Sequence, residues 1–274
     1  MTTKAWDRGT GPAAGSTTSV LSYAWWRGLL RRPRVTFDAL PPDVPTPPAA
    51  VLWDMDGLLV DSEPIWTVAE RELFARWDLE FTPVMKAAIV GNRMDVAVPT
   101  MISLAGPAAR DADVGEVSAW LLARMTELFA EKIPLRPGAR ALLDDLRTAG
   151  VPQALVSSSY RVLVDAVLAG IPGHPFAASV AGDEVAHGKP DPEPYLTAAR
   201  NLDVDPTTCV VLEDTPTGCR AGIAAGCRVV YSPSVAGTGA AEPGWRAAGS
   251  LEAVSYRWLS AWPVDPSETS RAGG

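Results

Sequence analysis

The sequence has few of the residues that bind zinc or form disulfide frameworks. Its 274 residues include two histidines, His174 and His187, and three cysteines, Cys209, Cys219 and Cys227. Because the cysteines are odd in number and form no C-x-x-C pair, the pattern favours free thiols over disulfides or a zinc site. The first residues also lack a charged region that leads into an apolar one, so we expect a cytoplasmic protein.

Long apolar runs and positive charge are scarce as well. No apolar run approaches the roughly 18 to 20 residues that span a bilayer, so we expect no stable membrane insertion. The formal net charge is -8, with only four lysines, and 47% of the residues are hydrophobic. This composition excludes a disordered chain, disfavours a nucleic-acid binder and favours a protein that handles cations.

The two ends of the chain differ from its middle. Glycine, serine and threonine dominate residues 9–19 and five prolines lie between positions 41 and 48, which predicts a disordered or extended tail at 1–48. Residues 23–34 within it could form a short amphipathic helix that touches a membrane or a partner. We expect a flexible C-terminus at 263–274, a core at 49–63 and 136–262, and a separate helical domain at 64–135.

Short apolar strands alternate with helical patterns along the core. The predicted strands are 50–53, 153–156, 209–212 and 228–231, with a weaker one at 178–180. Uninterrupted apolar strands separated by helices are typical of a buried parallel sheet, so we expect a doubly wound, Rossmann-like α/β fold.

The helical domain is inserted between the first two predicted strands. Its first helix is predicted from an apolar stripe that contains Ile65, Ala69, Leu73 and Trp77. An insertion at this point would lie above the carboxyl ends of the strands, where open α/β sheets bind ligands. We therefore expect a cap over the site.

Two predicted strands end in acidic residues. The first runs into Asp54-Met55-Asp56-Gly57, and the strand 209–212 runs into Glu213-Asp214. Because parallel strands end at one edge of the sheet, these carboxylates can converge on one cation, and Mg²⁺ prefers oxygen ligands. The alternatives are a simple turn at 54–57 and a helix cap at Asp214 or Thr215.

Candidate phosphate-binding groups follow another strand and a proline-rich loop. Ser157 and Ser158 come directly after strand 153–156, where hydroxyls and backbone N–H groups at a helix start bind anions. Serines there also serve as helix caps. Lys189 lies in Gly188-Lys189-Pro190-Asp191-Pro192, although a lone loop lysine can equally be solvated surface.

These four segments, in this order, resemble the motifs of the haloacid dehalogenase (HAD) superfamily, in its sugar-phosphatase and β-phosphoglucomutase-like branch. The resemblance rests on DMDGLLVDSEP at 54–64, Val156-Ser157, Lys189 and Glu213-Asp214. Four ordered motifs are more specific than any one of them. The resemblance implies a HAD core with an α-helical cap and a hydrolase that acts on phosphate monoesters.

The resemblance also implies a mechanism. Asp54 would be the nucleophile that forms an aspartyl-phosphate, and Asp56 the general acid and later the general base. Asp54, the backbone carbonyl of Asp56 and Asp214 would hold Mg²⁺, while Glu213 would support the waters of the metal.

The remaining site residues concern the substrate, expected to be a small phosphorylated metabolite of the sugar-phosphate class. Ser157, Ser158 and Lys189 would bind its phosphate. Gly91-Asn92-Arg93 resembles a loop that carries a substrate-contacting arginine, so Arg93 is the specificity candidate, with a surface arginine as the alternative. No oligomeric state is predicted.

Rival functions are open at this point. Mutase members of the branch carry a histidine at position 66, where this chain has Trp66, which favours a phosphatase over a phosphosugar mutase. A dehalogenase proper lacks the acid that this chain has in Asp56. A phosphonate hydrolase needs a cap lysine, and neither Lys86 nor Lys132 has the matching context. A non-catalytic binding or regulatory protein is a further alternative, docked through the tail at 1–48, which carries six basic and three acidic residues.

Overall fold

The computed structural model describes residues 46–90, 92–234 and 243–261. Within them, one sheet contains six strands: β1 (Val51–Trp53), β2 (Gln153–Val156), β3 (Phe176–Val180), β4 (Val210–Glu213), β5 (Arg228–Tyr231) and β6 (Trp245–Ala247). All neighbours pair in parallel, in the order β3-β2-β1-β4-β5-β6. The helix predicted over 23–34, most of the predicted tail and the predicted C-terminus lie outside the described residues.

The strands form where apolar residues follow one another without interruption. Every residue of β1, β2, β4 and β5 is buried, as expected for a sheet covered on both faces. The predicted strands are confirmed, but β1 starts one residue later than expected, β4 lies one residue later at both ends, and β3 starts two residues earlier. Strand β6 was not predicted from the sequence.

Helices cover both faces of the sheet. They are α5 (Ala139–Thr148), α6 (Arg161–Ala169), α7 (Glu193–Asn201), α8 (Pro216–Ala224) and α9 (Tyr256–Ser260). Side chains alternate along a strand, so Val51 and Trp53 join the core beneath α5 and α6, whereas Leu52 joins Tyr195 of α7 and Cys219 of α8. This is the predicted doubly wound α/β arrangement. The three cysteines are buried and form no disulfide.

The segment between β1 and β2 is helical, as predicted. It contains α1 (Glu63–Ala75), α2 (Pro83–Ile89), α3 (Met94–Ala105) and α4 (Val114–Glu131). Ala69 and Leu73 of the predicted stripe are buried, but the inclusion of Trp77 in the helix was wrong, because α1 ends at Ala75. None of the described helices combines the length and apolar character needed to cross a bilayer.

Two antiparallel linkers connect the helical segment to the sheet. Val60 pairs with Leu135, the N–H of Asp61 donates to the carbonyl of Pro134 (2.8 Å), and that of Arg136 donates to Leu59 (2.9 Å). We propose these linkers as the boundary between a core at 49–63 and 136–262 and a cap at 64–135. The cap thereby enters and leaves at the carboxyl end of β1.

Candidate active site

Lys189 connects the ends of three central strands. Its Nζ donates to Asp54 Oδ1 after β1, to the carbonyl of Val156 in β2 (3.1 Å) and to Glu213 Oε1 at the end of β4 (2.7 Å). These three strands are neighbours in the sheet, so their carboxyl ends meet. The lysine is therefore buried among anions, and not on solvated surface.

Glu213 is saturated by donors of the protein itself. Besides Lys189, it accepts from the hydroxyl of Tyr195 (2.7 Å), from the N–H of Asp214 (3.0 Å), and from the N–H and hydroxyl of Thr215 (3.2 and 3.1 Å). So many donors fix the position and orientation of this carboxylate. Its observed contacts suit a group that positions Lys189.

Thr215 and Tyr195 were not predicted as site residues. Thr215 is the N-cap of α8, because its hydroxyl accepts from the N–H of Gly218 (3.1 Å). The helix cap that the sequence offered as an alternative at Asp214 or Thr215 is therefore present at Thr215. Tyr195 lies in α7 and reaches Glu213 only through the packing of that helix on the sheet. No pattern in the sequence marks that contact.

The serine run after β2 holds Asp56. The hydroxyls of Ser157 and Ser159 both donate to Asp56 Oδ2, at 3.1 and 2.8 Å, and the N–H of Ser159 donates to Ser157 Oγ (2.9 Å). Ser158, the second predicted phosphate-binding residue, lines the adjoining cavity with Ser159. Ser159 was missed, because the sequence does not show which hydroxyl of a run faces inward.

Three carboxylates crowd together at the strand ends. Oxygens of Asp54, Glu213 and Asp214 lie within 4.8 Å of one another, and Asp54 and Asp214 are only 7% and 8% exposed. Burial, and then the charge of Glu213, raise the pKa of Asp54 well above its usual value and that of Asp214 to about 7. Burial lowers the pKa of Lys189, but the charges of Asp54 and Glu213 outweigh burial and raise it above its usual value.

A divalent cation fits this donor set. Asp214 Oδ1 is buried and has no hydrogen-bond partner among the described residues. Such an orphaned oxygen is costly without a partner, and hard oxygen donors suit Mg²⁺. Gly57 leaves room for the Asp214 carboxylate, because a Cβ at position 57 would lie only 2.1 Å from Asp214 Oδ2.

A cavity of about 100 Å³ lies between this site and the cap. Asp56, Ser158 and Ser159 line it from the core, while Trp66 and Arg93 are among the residues that line it from the cap. The guanidinium of Arg93 lies over the core loop, where a Cβ on Gly188 would come within 2.1 Å of Nη1. The predicted cap arginine therefore reaches the loop that carries Lys189.

An ionic cluster on the cap wall was not predicted. Lys86 Nζ lies 2.8 Å from Glu63 Oε2 and contacts both oxygens of Glu70, at 3.1 and 2.9 Å. All three line the same cavity. From the sequence, Lys86 was a candidate only for phosphonate chemistry; in the structure two of its N–H groups donate to Glu70, and its charge lies beside Glu63.

The match to a known family agrees with this geometry. Residues 48–226 match the haloacid dehalogenase-like hydrolases. The chain belongs to this family. The resemblance drawn from the four motifs and the prediction of a hydrolase of the phosphatase type are thereby confirmed, as is the fold class.

The relatives fall in the sugar-phosphatase branch. A CbbY-like protein of Arabidopsis thaliana is 36% identical over 205 residues, which cover 69% of this chain and 64% of that protein, just under two thirds of its length. Hexitol phosphatase B of Escherichia coli (strain K12) is 33% identical over 190 residues, covering 68% of this chain and 83% of that protein.

A solved structure extends the likeness to three dimensions. The crystal structure of a CbbY variant from Rhodobacter sphaeroides, in complex with xylulose-(1,5)-bisphosphate, superimposes with a TM-score of 0.68 at 28% identity. The match covers 75% of this chain and 96% of that one. The HAD fold with its cap is therefore shared over nearly the whole of the relative.

Proposed function

We propose that the protein is a Mg²⁺-dependent phosphatase that hydrolyses a small phosphorylated metabolite, a sugar phosphate, through an aspartyl-phosphate on Asp54. The observation that carries the proposal is the meeting of Asp54, Lys189 and Asp214 at the strand ends, next to a cavity roofed by the cap. The phosphatase names of the relatives support the reaction class, and the sugar-phosphate ligand of the CbbY variant supports the substrate class.

The reaction has two displacement steps at phosphorus. An Asp54 oxygen attacks, the bond from phosphorus to the sugar oxygen breaks, and Asp56 transfers a proton to the departing oxygen. Asp56 then takes a proton from a water whose oxygen attacks the same phosphorus. The acyl-phosphate bond breaks, inorganic phosphate leaves, and the Asp54 carboxylate is restored.

Mg²⁺ would be held by Asp54, Asp214 and the backbone carbonyl of Asp56. When bound, it would offset the repulsion between the Asp54 carboxylate and the phosphate dianion. Lys189 and Ser157 would bind the transferring phosphoryl oxygens, with Ser158 beside them. Glu213 holds the lysine ionised and in place, so that its charge is preorganised for the transition state.

A position in the cavity favours hydrolysis over mutase chemistry. Trp66 lines the cavity at the site where mutase members carry a histidine. An indole offers one N–H donor and no basic nitrogen, so it cannot exchange a proton with a sugar hydroxyl. The leaving sugar therefore departs, and water completes the reaction.

The proposal is tested with a generic aryl phosphate and with a hexose 1-phosphate. We expect hydrolysis that stops with a chelator and returns with Mg²⁺, and release of free phosphate from the hexose 1-phosphate in place of an isomer. Asp54→Asn abolishes turnover, whereas Asp111→Asn, at an exposed aspartate paired with Arg110, retains it. Full activity in chelator, or retained turnover in Asp54→Asn, would contradict the proposal.

A further inference from the structure

The cap side of the cavity carries two carboxylates and a lysine, which face the space where the leaving group of the substrate would lie. Glu63, Trp66 and Glu70 are spaced i, i+3 and i+7, so they lie on one face of α1 and present two carboxylates with an indole between them. Lys86 of α2 bridges the carboxylates. Glu70 is 4% exposed and burial raises its pKa, but the contact with Lys86 opposes this effect.

The lysine of this cluster is held by Glu70 and paired with Glu63. Two of its N–H groups donate to Glu70 Oε1 and Oε2, and its Nζ lies 2.8 Å from Glu63 Oε2. Among the described residues that line the cavity, the other cation is Arg93, whose Nε lies 3.4 Å from Asp95 and whose guanidinium leans over the core loop. The wall formed by Glu63, Glu70 and Lys86 thus has one negative charge in excess.

Such a wall suits hydroxyl groups and repels a second phosphate. Carboxylates accept hydrogen bonds from pairs of hydroxyls, and the ion pairs with Lys86 hold both carboxylates in place at the cavity. The indole of Trp66 offers an apolar face for the C–H side of a sugar or alditol. A phosphate dianion placed there would meet two carboxylates in a poorly solvated site, where like charges repel strongly.

We propose that Glu63, Glu70 and Lys86 form a specificity wall that selects a neutral polyol leaving group, so that the protein prefers sugar or alditol monophosphates to bisphosphates. This inference rests on the proposed phosphatase function and deepens it. It separates this chain from its relative CbbY, a variant of which is seen with a bisphosphate.

The test compares matched substrates that differ by one phosphate: fructose 6-phosphate with fructose 1,6-bisphosphate, and xylulose 5-phosphate with xylulose 1,5-bisphosphate. We expect the monophosphate of at least one pair to have a kcat/KM ten-fold or more above that of its bisphosphate. Glu63→Gln and Glu70→Gln each break an ion pair with Lys86 and remove a negative charge, so we expect the ratio to fall at least three-fold.

Glu72→Gln is the matched control. Glu72 lies on the same helix but pairs with Arg124 of α4, outside the cavity, so its variant keeps the ratio of the wild type. Should Glu70→Gln fail to fold, Glu63→Gln carries the test, since Glu63 is partly exposed.

The outcomes separate this inference from the proposed function. Loss of Mg²⁺-dependent aryl phosphate hydrolysis in the wild type would contradict the function itself. Three results would overturn the specificity wall alone, provided that the aryl phosphate is hydrolysed. The bisphosphates could be used equally well or better, neither member of either pair could be used, or the ratio could stay unchanged in the folded glutamine variants.

Discussion

Gly57 is the residue whose small size matters most to the carboxylate cluster. Its φ is +85°, and a Cβ would collide with Asp214 Oδ2 at 2.1 Å. We expect Gly57→Ala to displace Asp214 and to raise the Mg²⁺ concentration for half-maximal activity roughly ten-fold, about 1.4 kcal/mol in binding. A Mg²⁺ titration of activity measures this shift.

Gly150→Ala is the control for the backbone conformation. Gly150 also has positive φ, +73°, but a Cβ there meets nothing within 4 Å. It should lose stability, as Gly57→Ala does, because a side chain disfavours positive φ, while its Mg²⁺ requirement stays that of the wild type. If both variants needed the same Mg²⁺ concentration for half-maximal activity, the close approach of Gly57 to Asp214 could not be the cause of a raised Mg²⁺ requirement.

The sequence reveals site residues when they follow strands and hides those that reach the site through packing. Asp54, Ser157 and Asp214 follow directly from the rule that parallel strands end at one edge. Lys189 required the family resemblance, because nothing local marks its loop as inward-facing. The contact between Lys86 and Glu70 depends on how α2 packs against α1, which no sequence spacing specifies.

At the scale of elements, α4 supports the cap. Leu121 is fully buried in this helix, whereas Leu104, in α3, is 37% exposed. We expect Leu121→Ala to lower the free energy of unfolding by about 2–5 kcal/mol, and Leu104→Ala by less than about 1 kcal/mol. Urea unfolding compares the two variants. Similar losses for both would show that the apolar face of α4 does not hold the cap together.

Elements that are long or fully apolar were predictable, and short ones were not. The buried strands β1, β2, β4 and β5 could be read from their apolar runs, with ends shifted by one residue at β1 and β4. The three-residue β6 (Trp245–Ala247) contains an arginine and ends with an exposed alanine, so it has no apolar run to reveal it. It forms because β5 offers an edge to pair with.

Across the whole molecule, the negative net charge would repel an anionic substrate, whereas positive side chains lie at the site. The net charge is -8 with four lysines, yet Lys189 lies at the strand ends and Arg93 on the cavity wall. Under the proposed function, an anionic substrate would therefore be attracted locally by Lys189, Arg93 and the proposed cation, and not by the overall field. The alternation of strands and helices predicted the core, and the long helical interruption predicted the cap.

The most direct test of the central claim is the detection of a phosphoryl group on Asp54. Asp56→Asn removes the base of the second step, so the phosphorylated enzyme should accumulate when an aryl phosphate with a good leaving group is added with Mg²⁺. The reaction is quenched in acid, and the digested protein is analysed by mass spectrometry. The account predicts one phosphoryl group on the peptide that contains Asp54. Release of the aryl alcohol with that peptide unmodified, or with the phosphoryl group on another residue, would contradict it.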